Sequence, residues 1–275
     1  MEKKIVFLDV DGTLKNPEKD MSSCTEEAIK QLKQNGHYVF VCTGRNKAGV
    51  ESLRYLNFDG YICSAGGYIE VHGKKIFETY MSKEDVKEVR SIFEKYHIFY
   101  NLEALDRTFQ DEQMHIEMMK DHKDMEQMNS EMKRMIQEFH VLPIEEYDQN
   151  PVPIQKLCFV SRNEDNINQA KKLLEKKYHF VIHDLFSPDT INGEIIPKDK
   201  NKGLAVKKVV EYLHMSIEDT IGFGDSMNDY EMMKTCHYGV AMGNASKELK
   251  QYADAICESI DDDGVYHELK RLKLI

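Results

Sequence analysis

Apolar runs and amphipathic stretches alternate along the first eighty residues. Ile5 to Leu8 is an unbroken apolar run that ends in Asp9 and Asp11. A polar loop containing Pro17 follows, from Lys15 to Ser23. Thr25 to Asn35 then puts Ala28, Ile29 and Leu32 on one side of a predicted helix, with Gly36 placed to close it. Tyr38 to Cys42 is apolar throughout, as expected of a strand covered on both faces. It ends at Thr43-Gly44-Arg45. A second helix is predicted to about Leu56, and then the short run Tyr61-Ile62-Cys63. Strand and helix alternating in this way predict a parallel α/β sheet. Tyr68 to Val71 and Lys75 to Phe77, around His72-Gly73, predict a hairpin beside it.

The texture changes at Ser82. Ser82-Lys83-Glu84-Asp85 reads as a helix start, a capping box with Asp in the acidic position, and the helix runs to about Tyr96. Alternating segments follow at 98–102 and at His115-Ile116-Glu117-Met118. A helix over 123–139 carries Met125, Met128, Met132 and Met135 at 3, 4, 3 spacing, read as its buried side. The rival reading is an adaptable wall over a substrate. Pro151 and Pro153 precede a strand over 155–160, a helix over 165–176 and a strand over 180–182. The first pattern returns at Asn201. A helix over 202–213, strands at 220–223 and 238–242, an intervening and a following helix, and a last helix over 262–272 complete the chain. The predicted organisation is an α/β domain made of 1–81 and 196–275, interrupted by an α+β unit at 82–195.

Composition narrows the function classes. The chain has 275 residues and a net charge of −11, which disfavours a general nucleic-acid binder. A local positive pocket for a phosphorylated small molecule is still compatible with that charge. No apolar run approaches the roughly 18–20 residues of a membrane span, and Met1-Glu2-Lys3-Lys4 does not begin a signal peptide. Cys24, Cys42, Cys63, Cys158, Cys236 and Cys257 form no CxxC pair and read as thiols of a reducing cytoplasm. His115, His122 and His183 show no metal-ligand spacing.

Acids at strand tips are the candidate chemistry. In an extended segment Asp9 and Asp11 point to the same side and can address one small volume. Two carboxylates held close require a cation or raise one pKa. One can then act as a nucleophile and the other move a proton. Gly12 permits a tight turn, and Thr13 is placed to hold the loop by hydrogen bonds. A loop-capping pair or a calcium loop is the alternative, although a strand precedes this D-x-D where a calcium hand needs a helix. Thr43 and the Gly44 amide suit phosphate oxygens, with Arg45 as a nearby cation, or else form an ordinary strand-to-helix turn. Lys202 opens a helix, an end that favours anions, which suggests that it neutralises one; the alternative is a surface lysine. Asp225 and Asp229, in Gly224-Asp225-Ser226-Met227-Asn228-Asp229, put further acids at a third strand tip. Together with Asp9 and Asp11 they make an oxygen-rich site suited to Mg²⁺.

In this order the motifs resemble the haloacid-dehalogenase-like phosphohydrolases, in particular the Cof-type subfamily. Asp9-Val10-Asp11-Gly12-Thr13, Thr43-Gly44-Arg45, Lys202-Gly203 and Gly224 to Asp229 match the four family motifs. Asp261-Asp262-Asp263-Gly264-Val265 resembles the subfamily's C-terminal segment. Where that subfamily often has Ser-Asn-Gly-Ala, this chain has Ser64-Ala65-Gly66-Gly67. The resemblance implies a Rossmann-like core with a large inserted cap and a cytoplasmic phosphatase acting on a small phosphorylated metabolite. It implies Asp9 as nucleophile, forming an aspartyl-phosphate, and Asp11 as acid and then base. Mg²⁺ would be held by Asp9, the Asp11 carbonyl and Asp225, with Asp229 a ligand or the support of one. Thr43, Gly44, Lys202 and Asn228 would grip the phosphoryl group, and Arg45 would contact the substrate. Sugar phosphates, nucleotides, flavin mononucleotide and pyridoxal phosphate all fit as substrates. A phosphomutase or phosphotransferase on the same motifs and a non-catalytic phospho-ligand sensor are the rival readings.

Overall fold

The structure, a computed structural model, describes residues 2–16, 20–119, 138–183 and 190–275. The chain divides into two compact units. One comprises Met1–Arg45, Ser52–Glu78 and Lys200–Ile275, the other Asn46–Glu51 and Thr79–Asp199.

The first unit begins with three parallel strands, β1 (Ile5–Leu8), β2 (Tyr38–Cys42) and β3 (Gly60–Cys63). Every residue of β1 and β3 is buried, which is why their sequences are apolar without alternation. The antiparallel hairpin β4 (Tyr68–Val71) and β5 (Lys74–Glu78) extends this edge. The helix Ser23–Gln34 starts where the Ser22 side chain accepts from the Thr25 amide, and it buries Ala28, Ile29 and Leu32. Ala48–Leu56, expected as an α-helix, winds as 3-10 turns. At its start the Asn46 carboxamide accepts from the Gly49 amide at 2.9 Å, a side-chain turn that competes with α-helical bonding.

The second unit holds a six-stranded sheet in the order β10-β11-β9-β6-β7-β8. Its strands are β6 (Phe99–Ala104), β7 (Thr108–Gln110), β8 (Val141–Pro143), β9 (Ile154–Ser161), β10 (Tyr178–His183) and β11 (Ile191–Pro197). All neighbours are antiparallel except β7 and β8. One face carries Tyr100, Leu102, Leu157, Phe159 and Ile195. It packs with Val86, Val89 and Phe93 of the helix Lys83–Lys95 and with Ile167, Ala170 and Leu174 of the helix Glu164–Leu174. The alternate positions point to the opposite face. There Lys156 pairs with Glu194 and lies 3.5 Å from Glu103, while the Cys158 thiol donates to Glu103 at 3.0 Å. The segment His115 to Met118, alternating in sequence, belongs to the helix Glu112–Met119. Asp111 initiates it by accepting from the amides of Gln113 and Met114. The helix expected over 123–139, with its four methionines, lies outside the described residues except at its last positions, as do Pro17 and His122.

The chain then completes the first sheet with β12 (Thr220–Gly224), β13 (Tyr238–Ala241) and β14 (Ala255–Ile256), giving the order β14-β13-β12-β1-β2-β3-β4-β5. The helix Lys202–Tyr212 is capped by Asn201, whose side chain accepts from the Leu204 amide at 2.8 Å. It packs Ala205, Val206, Val209 and Val210 against Ile5, Phe7, Phe40 and Ile62. The last helix is Gly264–Arg271. No helix among the described residues is long and apolar enough to cross a membrane. The order β12-β1-β2 sets the C-terminal ends of these strands side by side, and the candidate residues sit there.

Candidate active site

Asp9 continues the line of β1: its amide donates to the Phe223 carbonyl at 3.0 Å. Its side chain turns onto Lys202, whose Nζ lies 2.7 Å from Asp9 Oδ1, 2.5 Å from Asp229 Oδ1 and 3.1 Å from Asn228 Oδ1. The Lys202 side chain is 0% exposed. A buried ammonium is stable only when paired, and here it has two carboxylates and a carboxamide. Lys202 reaches them because its helix starts at the sheet edge. Among the described residues nothing hydrogen-bonds to Asp9 Oδ2.

Asp229 lies in a 3-10 turn, Met227–Asp229, ahead of the helix Tyr230–Thr235. Its Oδ2 accepts from the amides of Asp225 at 3.0 Å and Ser226 at 3.3 Å, while Oδ1 holds Lys202. Both oxygens are therefore engaged by protein donors. Two glycines make room for this packing. A Cβ on Gly224 would meet the Asp229 carboxylate at 2.5 Å or less, and one on Gly12 would lie 2.2 Å from Asp225 Oδ2. Gly12 also has φ +82, which disfavours any other residue.

Asp11 stands apart from this knot. Arg45 grips it in a two-point pair, Nε to Oδ2 at 2.9 Å and an Nη to Oδ1 at 2.7 Å. Arg45, expected to face a substrate, is thus held on a carboxylate of the site. Thr43 Oγ1 accepts from the Arg45 amide at 3.1 Å, which leaves the hydroxyl proton free to donate. The loop after β3 supports this turn, with Ser64 N–H on the Arg45 carbonyl and Ala65 N–H on the Thr43 carbonyl. Ala65 has φ 51 and ψ 36, a left-handed conformation that asparagine tolerates better than alanine. The replacement of the subfamily's asparagine therefore strains the backbone at this point. Thr13 is expected to hold its loop through the hydroxyl, but among the described residues its buried Oγ1 has no hydrogen-bond partner. Backbone bonds hold the loop instead, from the amides of Leu14 and Lys15 to the Val10 carbonyl.

The electrostatics divide the acids. Burial, then the charge of Asp229, pushes the Asp9 carboxyl up to about 8, against the opposing pull of Lys202. Burial and the charge of Asp9 push Asp225 up to about 9. Burial works against ionised Asp11 too, but the Arg45 guanidinium outweighs it and holds that carboxyl below its ordinary value. Lys202 is raised by Asp229 and Asp9 in spite of its burial, so it remains an ammonium. One oxygen each of Asp9, Asp225 and Asp229 lie within 4.8 Å of one another, and the buried Asp225 Oδ1 has no hydrogen-bond partner among the described residues. An orphaned carboxylate oxygen among crowded acids fits a hard divalent cation. Sequence reading missed Asn244, whose Nδ2 donates to the Gly12 carbonyl at 2.8 Å. Its partners lie far away in sequence, and no local pattern announces it.

The model of the haloacid dehalogenase-like hydrolase family matches residues 6–269. The putative phosphatase YkrA of Bacillus subtilis is 26% identical, with all of both chains covered. The 5-amino-6-(5-phospho-D-ribitylamino)uracil phosphatase YwtE of the same organism is 28% identical over 98% of each chain. A solved structure of a haloacid dehalogenase-like hydrolase from B. subtilis superposes with a TM-score of 0.83 at 24% identity, covering 98% of this chain and 99% of that one. The chain belongs to the haloacid dehalogenase-like hydrolases, in their Cof-type branch, and is a phosphoric monoester hydrolase.

Proposed function

We propose that the protein is a Mg²⁺-dependent phosphatase of a small phosphorylated metabolite, acting through an aspartyl-phosphate on Asp9, with the second unit as its inserted cap. The observation that carries this is the convergence of Asp9, Asp225 and Asp229 around Lys202 at adjacent strand ends. Lys202 fixes one oxygen of Asp9 and leaves Oδ2 to attack phosphorus. Asp9 attacks as the carboxylate, the form that a bound cation would favour over its protonated state in the free site. Asp11, ionised beside Arg45 in the free site, first takes up a proton and then gives it to the departing oxygen as the O–P bond forms and the ester P–O bond breaks. Asp11, now a carboxylate, takes a proton from the water that displaces Asp9 from phosphorus, which releases phosphate and restores both acids. The Arg45 pair matches the ionised state of Asp11 needed for the second step.

Thr43, the Gly44 amide and the Asn228 Nδ2 are donors for the phosphoryl oxygens, and Lys202 joins them by giving up its bond to the Asn228 carbonyl oxygen. Asp229 serves by orienting Lys202 and the Asp225 loop. A divalent cation held by Asp9, Asp225 and the Asp11 carbonyl would screen carboxylate–phosphate repulsion and steady the transition-state charge. The substrate reading, a sugar phosphate or similar monoester, is supported by the resemblance to YwtE. The six cysteines are free, which supports a reducing, cytoplasmic setting. The test is phosphate release from a panel of sugar phosphates, phosphoribitylaminouracil, flavin mononucleotide and pyridoxal phosphate, with Mg²⁺ and with EDTA. Hydrolysis of at least one, lost in EDTA, is expected. A folded protein that cleaves none of them in Mg²⁺ sinks the proposal.

A further inference from the structure

The loop after β13 reaches three parts of the site that sequence motifs do not connect. Asn244 donates from Nδ2 to the Gly12 carbonyl at 2.8 Å and accepts at Oδ1 from the Ile260 amide at 2.9 Å. These partners fix the carboxamide's orientation, since a carbonyl can only accept and an amide N–H can only donate. Two residues on, the Ser246 amide donates to the Asp225 carbonyl at 2.9 Å, and the Met242 amide donates to the Gly224 carbonyl at 3.0 Å. The loop is itself held down, by Lys250 Nζ on the Gly243 carbonyl at 2.6 Å and by the Gly243 amide on the Glu258 carbonyl at 3.0 Å. One short segment thus grips the backbone of Asp225 and the backbone of the loop that carries Asp11.

Gly12 is the point where these two loops meet. Its amide donates to the Lys15 carbonyl at 2.8 Å, and its carbonyl takes Asn244, so the peptides on both sides of Gly12 are fixed. Its Cα is nested against the Asp225 carboxylate, with no room for a methyl group. We propose that Asn244 is a positioning residue that fixes the Gly12–Thr13 peptide through the Gly12 carbonyl, and so sets Gly12 and the Asp11 carbonyl that precedes it against Asp225 and supports the site's hold on a divalent cation. This rests on the metal-dependent phosphatase reading. Asn244 is exposed, so its replacement leaves the core untouched.

The test compares Asn244→Ala with Asn244→Asp. Alanine removes both bonds. Aspartate keeps an acceptor for Ile260 but has no donor for Gly12. Two readouts are taken: the Mg²⁺ concentration that half-saturates thermal stabilisation without substrate, and kcat and KM separately on a cleaved phosphomonoester. Both variants are expected to raise the Mg²⁺ midpoint about tenfold and to lower kcat about tenfold or more, as losses of ligand-supporting contacts do. KM and the melting temperature in EDTA should change little. Full rescue by aspartate, or a wild-type Mg²⁺ midpoint in both variants, overturns the proposal, because the Gly12 bond would then be dispensable. A wild-type protein that Mg²⁺ does not stabilise overturns it as well. If alanine alone unfolds the protein in EDTA, the near-isosteric aspartate decides. Absence of hydrolysis in wild type would instead defeat the phosphatase reading, while the Mg²⁺ midpoints still judge the role of Asn244.

Discussion

Lys202→Met removes the ammonium at the centre of the site and keeps most of the side-chain volume. Lys202 lies 2.7 Å from Asp9 and 2.5 Å from Asp229, and the three side chains are 0%, 4% and 0% exposed, so solvent screens little. At an effective dielectric of about 20, the ammonium and the Asp229 carboxylate attract by about 6 kcal/mol before desolvation is subtracted, while Asp9, pushed up to about 8, adds a buried hydrogen bond to the same ammonium. Desolvation takes back much of that, and measured losses for removing one partner of a buried pair are about 3–5 kcal/mol. The variant should therefore lose about 3 kcal/mol or more of unfolding free energy in EDTA at pH 7. Urea denaturation followed by circular dichroism reads this directly. Mg²⁺ should recover part of the loss. A loss below about 1 kcal/mol, the scale of an exposed ion pair, would refute the view that Lys202 holds Asp9 and Asp229 together as their buried partner.

The other predictions concern the metal, the loop and the second unit. Asp9 and Asp225 rise from an ordinary 3.8 to about 8 and about 9. In the folded state they hold protons that the unfolded chain has released, so their contribution is full below about pH 4 and is lost as pH rises through 8 to 9. The melting temperature in EDTA should therefore fall across that window, and the stabilisation by Mg²⁺ should grow from pH 5 to pH 9; an equal Mg²⁺ increment at both pH values would contradict it. Gly12→Ala forces a methyl group into the Asp225 carboxylate at a left-handed φ. Displacing the loop by about 1 Å should cost about 100-fold in kcat, and a variant within threefold of wild type would show that the Gly12–Asp225 contact is unimportant. Lys156→Met removes the buried ammonium that pairs with Glu194 and faces Glu103, and should cost about 3–5 kcal/mol in denaturation; an unchanged midpoint would mean that the pair is worth nothing.

Much of the site was legible because it lies at strand tips. The apolar runs of β1, β2 and β12 are unmistakable where both faces are buried, and a polar residue just past such a run stands out. Asp9, Thr43 and Asp225 were found in this way, and Lys202 by its misfit at a helix start. The roles of these side chains toward one another were not legible. The resemblance implies a substrate contact for Arg45, and spacing cannot show that it also pairs with a carboxylate 34 residues away, Asp11. Asn244 and Thr13 illustrate the same limit from two sides: one makes a long-range bond that no motif marks, and the other makes no side-chain hydrogen bond among the described residues. In the second unit, β11 escaped notice because Asn192, Gly193 and Glu194 interrupt its apolar residues, although Glu194 is buried beside Lys156. The segment 115–118 alternates like a strand, yet the Asp111 cap starts a helix there.

The central claim is that Asp9 is the nucleophile. The most direct measurement is acid quenching of the enzyme during turnover of a cleaved phosphomonoester, followed by mass spectrometry of the peptide that contains Asp9, with Asp9→Asn assayed in parallel. The account predicts a phosphoryl adduct on Asp9 in the wild-type protein, and a folded Asp9→Asn variant that releases no phosphate. Turnover by Asp9→Asn at the wild-type rate would contradict it.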